Sequence, residues 1–169
     1  FWRPVTGIRE SDEGSGPSGL GDGNPATPGD PTFSPLGAPA SNLTGPNFTP
    51  PFPAYPSGHA TFGGALFQTL RRFYGRDDIA FSFVSDELNG ITRDNAGHVR
   101  PLVTRHFASL SQAEEENAQS RIYLGIHWAF DNTAGLESGR KVGEYVARNF
   151  FQPVRADRAG STSVAVRRR

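Results

Sequence analysis

Residues 57–75 read Ser57-Gly58-His59-Ala60-Thr61-Phe62-Gly63-Gly64-Ala65-Leu66-Phe67-Gln68-Thr69-Leu70-Arg71-Arg72-Phe73-Tyr74-Gly75. Phe62, Leu66, Leu70 and Phe73 recur at spacings of three and four, the period that gathers side chains on one helical face. The stretch therefore predicts a helix over 58–74 with that face buried. Gly75 is a natural stop. Ala60, Gly63, Gly64 and Ala65 lie beside the apolar face and leave room for a second helix to approach closely.

Upstream, the texture changes. The first 57 residues hold 12 of the 14 prolines and nine of the 20 glycines. Proline removes backbone donors and glycine carries a high chain entropy, so regular helices and central strands are not expected there. Residues 10–30, rich in Gly, Ser, Asp and Pro, read as a linker. Residues 48–55 set Phe48, Phe52 and Tyr55 between prolines and read as an ordered loop packed on a core. The triplets Asn42-Leu43-Thr44 and Asn47-Phe48-Thr49 are glycosylation sequons, of consequence only in a glycosylating pathway.

Downstream, residues 79–84 and 98–107 predict two short strands joined across a polar loop at 93–97. Ser111-Gln112-Ala113-Glu114 has the form of a capping box, in which serine and glutamate satisfy free N–H groups at a helix start. That helix should run to about Gly125. Another is expected from near Asn132, carrying Leu136, Val142, Tyr145 and Val146 toward Phe150. Residues 151–169 form a polar tail ending in three arginines. The predicted fold is mainly α: part of a helical bundle with a small β hairpin and long Pro/Gly-rich loops.

The composition narrows the chemistry. The chain has 169 residues, 17 basic and 17 acidic side chains, and neither Cys nor Met. That length suits one domain or part of a larger one. Zero net charge argues against nucleic acid or an anionic membrane surface as the partner. No apolar run approaches the ~20 residues of a membrane span. Disulfides, thiolate nucleophiles, zinc ribbons and iron–sulfur clusters are excluded by the lack of Cys. The opening Phe1-Trp2-Arg3-Pro4, with no Met anywhere and no visible signal peptide, gives the expectation of a piece of a longer protein.

Two stretches carry reactive side chains. In Pro56-Ser57-Gly58-His59 a loop becomes a helix, and a helix N-terminus presents unpaired N–H groups and positive potential to an oxyanion. Ser57 adds a hydroxyl, Gly58 admits close approach, and His59 can exchange a proton with a ligand. The plainer reading is a serine N-cap followed by an exposed histidine. In residues 120–131, Arg121 supplies a fork-shaped cation for phosphate-like oxygens. His127 can attack or coordinate the central atom, and Asp131, four residues on, can hold its ring N–H and fix the tautomer. The plainer reading there is a surface His–Asp pair and a solvated arginine.

With Arg3-Pro4 added, the order R-P, P-S-G-H, S-R-x3-G-x-H-x3-D resembles the signature shared by vanadium-dependent haloperoxidases and the type 2 phosphatidic-acid-phosphatase superfamily. Residues 36–40, 50–65, 87–90, 105–107 and 117–131 are also similar to fungal-type vanadium chloroperoxidases, so the resemblance covers roughly residues 1–131. It implies that residues 1–150 are the C-terminal part of a catalytic domain of that type.

By resemblance, Arg3, Arg121, Ser57 and the N–H of Gly58 would bind vanadate oxygens. His127 would be the ligand to vanadium, with Asp131 behind it, and His59 the acid–base residue. Phe52 matches a residue at the family's halide site. The implied reaction oxidises chloride or bromide with hydrogen peroxide to hypohalous acid, which halogenates an organic acceptor. Phosphate could occupy the same cradle, since it shares the charge and shape of vanadate. One alternative is an acid phosphatase of the same superfamily with a phosphohistidine at His127. The other is an inactive fragment that needs its missing part. The family places a lysine seven residues before the R-P arginine, ahead of Phe1 here, so this lysine and the preceding helices are expected from the missing N-terminal part, a companion chain or a homo-oligomer. Secretion is common in the resembled family.

Overall fold

A computed structural model describes residues 2–11, 26, 28–37, 49–94 and 96–152. Most of the predicted linker, both sequons' asparagines and residues 153–169 of the tail lie outside the described residues. The elements in order are α1 (Pro4–Arg9), α2 (Gly58–Tyr74), β1 (Phe81–Asn89), β2 (Leu102–Phe107), α3 (Leu110–Tyr123) and α4 (Ala129–Asn149). Among the described residues no helix is long and apolar enough to cross a membrane.

The α2 bounds follow from its ends. Ser57 is the N-cap, its side chain accepting from the Ala60 N–H, and Gly75 closes the helix in the left-handed conformation at φ 68°. The buried face differs from the predicted one. Phe62 is 78% exposed and Phe73 79%, whereas Ala60, Gly63 and Gly64 are buried. The small residues win because α4 brings its own glycines to meet them. A methyl group at Gly135 would lie 2.6 Å from the Ser57 carbonyl oxygen, one at Gly143 2.6 Å from that of Ala65, and one at Gly64 2.7 Å from that of Leu136. Gly139 is pressed against Thr61 in the same way. Backbone-to-backbone approach this close leaves no depth for Phe or Leu between the two axes. Among the described residues, Ala60, Ala118 and Leu136 form the small apolar core, while Val142 and Tyr145, expected in it, are exposed.

The hairpin forms as predicted, with β1 antiparallel to β2, Phe81 opposite Phe107 and Val84 opposite Thr104. The cap of α3 lies two residues earlier than the sequence pattern suggests. Ser109 accepts from the Gln112 N–H, and Ser111 instead bonds Asp77 through its main-chain N–H and its hydroxyl. Glu114 is no capping partner. It is fully buried and takes hydrogen bonds from Arg71 on α2 and Arg140 on α4. Burial pushes its carboxyl up, but those two guanidiniums overcome the effect and hold it below the usual range.

Helix α4 begins at Ala129, three residues before the expected start. The 49–55 loop is ordered with Ala54 fully buried, but the rings of Phe52 and Tyr55 stay exposed. They lie against Arg3 and Phe130 instead.

Candidate active site

The inner face of α3 is laced to its neighbours once per turn. Glu114 meets Arg71 and Arg140, Asn117 Nδ2 donates to the His59 carbonyl at 2.8 Å, and Asn132 Nδ2 donates to the Ala118 carbonyl. Arg121 follows in the last turn. It is 7% exposed, and its Nε has no hydrogen-bond partner among the described residues. A buried guanidinium without an acceptor is costly, so its donors suit an anionic ligand.

Past α3 the chain reverses through Gly125, at φ 70°. Ile126 is fully buried and His127 only 4% exposed. His127 Nδ1 lies 3.1 Å from Asp131 Oδ2, which also accepts from the Trp128 N–H at 3.0 Å. Asp131 therefore caps the start of α4 and orients the imidazole at once. The other ring nitrogen, Nε2, lies 2.9 Å from Arg3 Nη1. A guanidinium can only donate, so Nε2 is the acceptor and the ring proton sits on Nδ1, toward Asp131. Burial pushes the His127 imidazole below its ordinary value against the raising effect of Asp131, and the charges of Arg3 and Arg121 push it further down.

Arg3 reaches this place from the other end of the chain. Its Nη1 also donates to the Ile126 carbonyl at 2.9 Å, Nε to the Phe52 carbonyl at 2.9 Å and Nη2 to the Pro53 carbonyl at 3.4 Å. The Phe52 ring faces it with Cζ 4.7 Å from the centroid. Burial lowers the pKa of both Arg3 and Arg121, and the charge of Arg3 lowers that of Arg121 further. Two buried cations that repel each other define a region of strong positive potential.

At the start of α2, Ser57 is fully buried. Its Oγ accepts from Ala60 at 3.4 Å, leaving the hydroxyl hydrogen with no acceptor among the described residues. The Gly58 N–H, at the first helical position, precedes any intrahelical acceptor. His59 is exposed to solvent, as the plainer reading of the sequence has it; partial desolvation, then the charges of Arg121 and His127, lower its pKa below the ordinary value.

Among the described residues no three or more His, Cys, Asp and Glu side chains assemble into a cation cage. What comes together is two arginines, a hydroxyl, a helix start and an imidazole whose Nε2 lone pair accepts from Arg3. This set fits a compact oxyanion whose central atom accepts a nitrogen ligand.

A family model described as the VCPO second helical-bundle domain matches residues 1–156. The chain belongs to that family. As a VCPO second-bundle domain it is 46% identical, over 161 residues, to the vanadium chloroperoxidase of Curvularia inaequalis, covering 81% of this chain and 24% of the relative. A crystal structure of a bacterial vanadium-dependent iodoperoxidase matches with TM-score 0.52 and 32% identity, over 70% of this chain and 24% of that one. A holo-type bacterial vanadium-dependent chloroperoxidase matches with TM-score 0.55 and 21% identity, over 86% and 29%, a likeness of fold. The chain spans about a quarter of the length of these relatives. The helical-bundle class expected from the sequence is thus that of the family.

Of the residues expected at the site, Arg3, His127 and Asp131 are joined by hydrogen bonds and Ser57 is bonded to the Asp131 carbonyl, while His59 and Arg121 are linked to them through their charges. The glycines of the α2–α4 seam and Asn117 were not among them. Gly135, Gly139 and Gly143 repeat every four positions, a period visible in the sequence. Asn117 carries no such signal, because a lone polar residue on a helix looks solvated.

Proposed function

We propose that the protein containing this domain binds vanadate at the Arg3–His127–Arg121 cradle and oxidises halide with hydrogen peroxide, giving hypohalous acid that halogenates an organic acceptor. The observation that carries the reading is the buried triad Arg3–His127–Asp131, in which Nε2 of His127 carries no proton and accepts from Arg3. Arg3, Arg121, the Ser57 hydroxyl and the Gly58 N–H would hold the oxygens, and Nε2 of His127 would ligate vanadium. Bound there, vanadate would supply an oxidised Lewis acid that activates peroxide toward halide.

The chain's own residues prepare that site. Asp131 holds the proton on Nδ1 and so keeps Nε2 free as a base. Arg3 Nη1 must turn from Nε2 toward an oxyanion oxygen, while Nε and Nη2 remain on the Phe52 and Pro53 carbonyls. His59, exposed and with its pKa lowered by partial desolvation and the nearby charges, would accept a proton from peroxide. Phe52, whose ring lies against Arg3, would be the side chain that meets the halide. The family's additional lysine would come from the preceding sequence.

Intact protein loaded with orthovanadate should halogenate an aromatic acceptor in a bromide- or chloride-dependent manner, and phosphate should compete with vanadate. Turnover of phosphate monoesters with no halogenation would transfer the site to the phosphohistidine reaction at His127.

A further inference from the structure

Residue 117 lies where two of the site's elements touch. Its Nδ2 donates to the main-chain carbonyl of His59 at 2.8 Å, and the Ser120 hydroxyl returns a bond to the Asn117 carbonyl at 2.7 Å. The carboxamide fits because position 63 has no side chain. A methyl group on Gly63 would overlap Asn117 Nδ2, with Asn117 Cγ next at 3.4 Å. Gly63 is one turn beyond His59 on α2, and Asn117 one turn before Arg121 on α3. The contact therefore ties the turn carrying His59 to the turn leading to Arg121.

The other ties of α3 bind elsewhere. Glu114, one turn before Asn117, clamps α3 to Arg71 and Arg140. Asn132 holds the Ala118 carbonyl from α4. Neither touches the first turn of α2. The amide of Asn117 alone among these ties bonds a main-chain atom of a site residue on α2.

We propose that Asn117, seated in the slot that Gly63 leaves, is a positioning residue that fixes the separation of His59 and Arg121 across the anion. It touches no ligand itself and acts through the α2 backbone. The inference rests on the anion-binding reading given above and adds to it how the cradle is held to size.

The test uses the intact protein, preceding sequence included. Binding of inorganic orthovanadate and of inorganic phosphate to the vanadate-free protein is measured by calorimetry beside the thermal midpoint. Asn117→Ala should weaken both anions about tenfold. Gly63→Ala, which expels the amide without removing it, should weaken them to a similar degree. Both losses have one cause, so Gly63→Ala should add nothing in the Asn117→Ala background; this non-additivity is the decisive readout. A contact with only a structural role would lower the thermal midpoint and leave affinity per folded molecule unchanged.

If the folded Asn117→Ala protein bound both anions as wild type does, or if the two substitutions were additive, the proposal would be overturned while the anion site stood. Should Asn117→Ala not fold, Gly63→Ala alone decides by the same affinity criterion. Wild-type protein that bound neither anion would overturn the functional reading itself, and this proposal with it.

Discussion

The main-chain N–H of Ser57 donates to the Asp131 carbonyl at 3.0 Å. That bond joins the start of α2 to the first turn of α4, and with it the Ser57 hydroxyl to the residue whose carboxylate orients His127. The glycine seam between the two helices continues directly from it, so site geometry and helix packing are one construction.

A methyl group at either end of this seam should therefore act differently. Gly135→Ala would press on Ser57 O and on Ala60 Cβ, at 2.6 and 2.9 Å, whereas Gly143→Ala would press on Ala65, two turns away. Each should cost about 1–3 kcal/mol by overpacking, read from urea unfolding. Orthovanadate calorimetry should separate them, with affinity falling in Gly135→Ala and nearly unchanged in folded Gly143→Ala.

Arg121 should show the opposite pattern. With Nε unpartnered and the side chain buried, the guanidinium adds little to stability without an anion, since an unsatisfied buried donor costs about 1–3 kcal/mol. Arg121→Met should leave the thermal midpoint of the vanadate-free protein equal or higher. Orthovanadate affinity should fall by about tenfold or more, the worth of one charge-assisted hydrogen bond.

Glu114→Ala tests the clamp. The carboxylate is fully buried, and Arg71 is 18% exposed against 46% for Arg140. Removing it leaves Arg71 with Gln68 and, at 3.7 Å, Asp77 as remaining partners, so the cost should stay within about 3 kcal/mol, tempered on the Arg140 side by water. The loss should appear as a lower urea midpoint with an unchanged slope.

Both His59 and His127 are held below the ordinary histidine value of 6.5. In the window below 6.5 the unfolded chain takes up protons that the folded one resists, so stability is full above 6.5 and is lost as pH falls toward the folded values. Thermal midpoints between pH 7.5 and 5.5 should drop in wild type. His59→Gln should make that slope shallower; an unaltered slope would contradict the assignment.

The elements were legible where local chemistry decides them. Ser57 and Gly75 bracket α2 at the residues where it starts and stops. The small residues at 60–65 announced the close approach of a second helix, which α4 makes, but the hydrophobic period wrongly rewarded Phe62 and Phe73, because it gives no weight to a seam made of absent side chains. Ser111 and Glu114 matched a capping pattern by spacing, yet Asp77 and two arginines distant in sequence claimed them. Arg3 stands 124 positions from His127, so only the resemblance to a known signature linked the two before the fold did.

Arg3 is gripped by the carbonyls of Phe52, Pro53 and Ile126. Main-chain oxygens survive exchange of the residues that bear them. The ring at position 52 can therefore be swapped by natural drift while the arginine beside it keeps its grip.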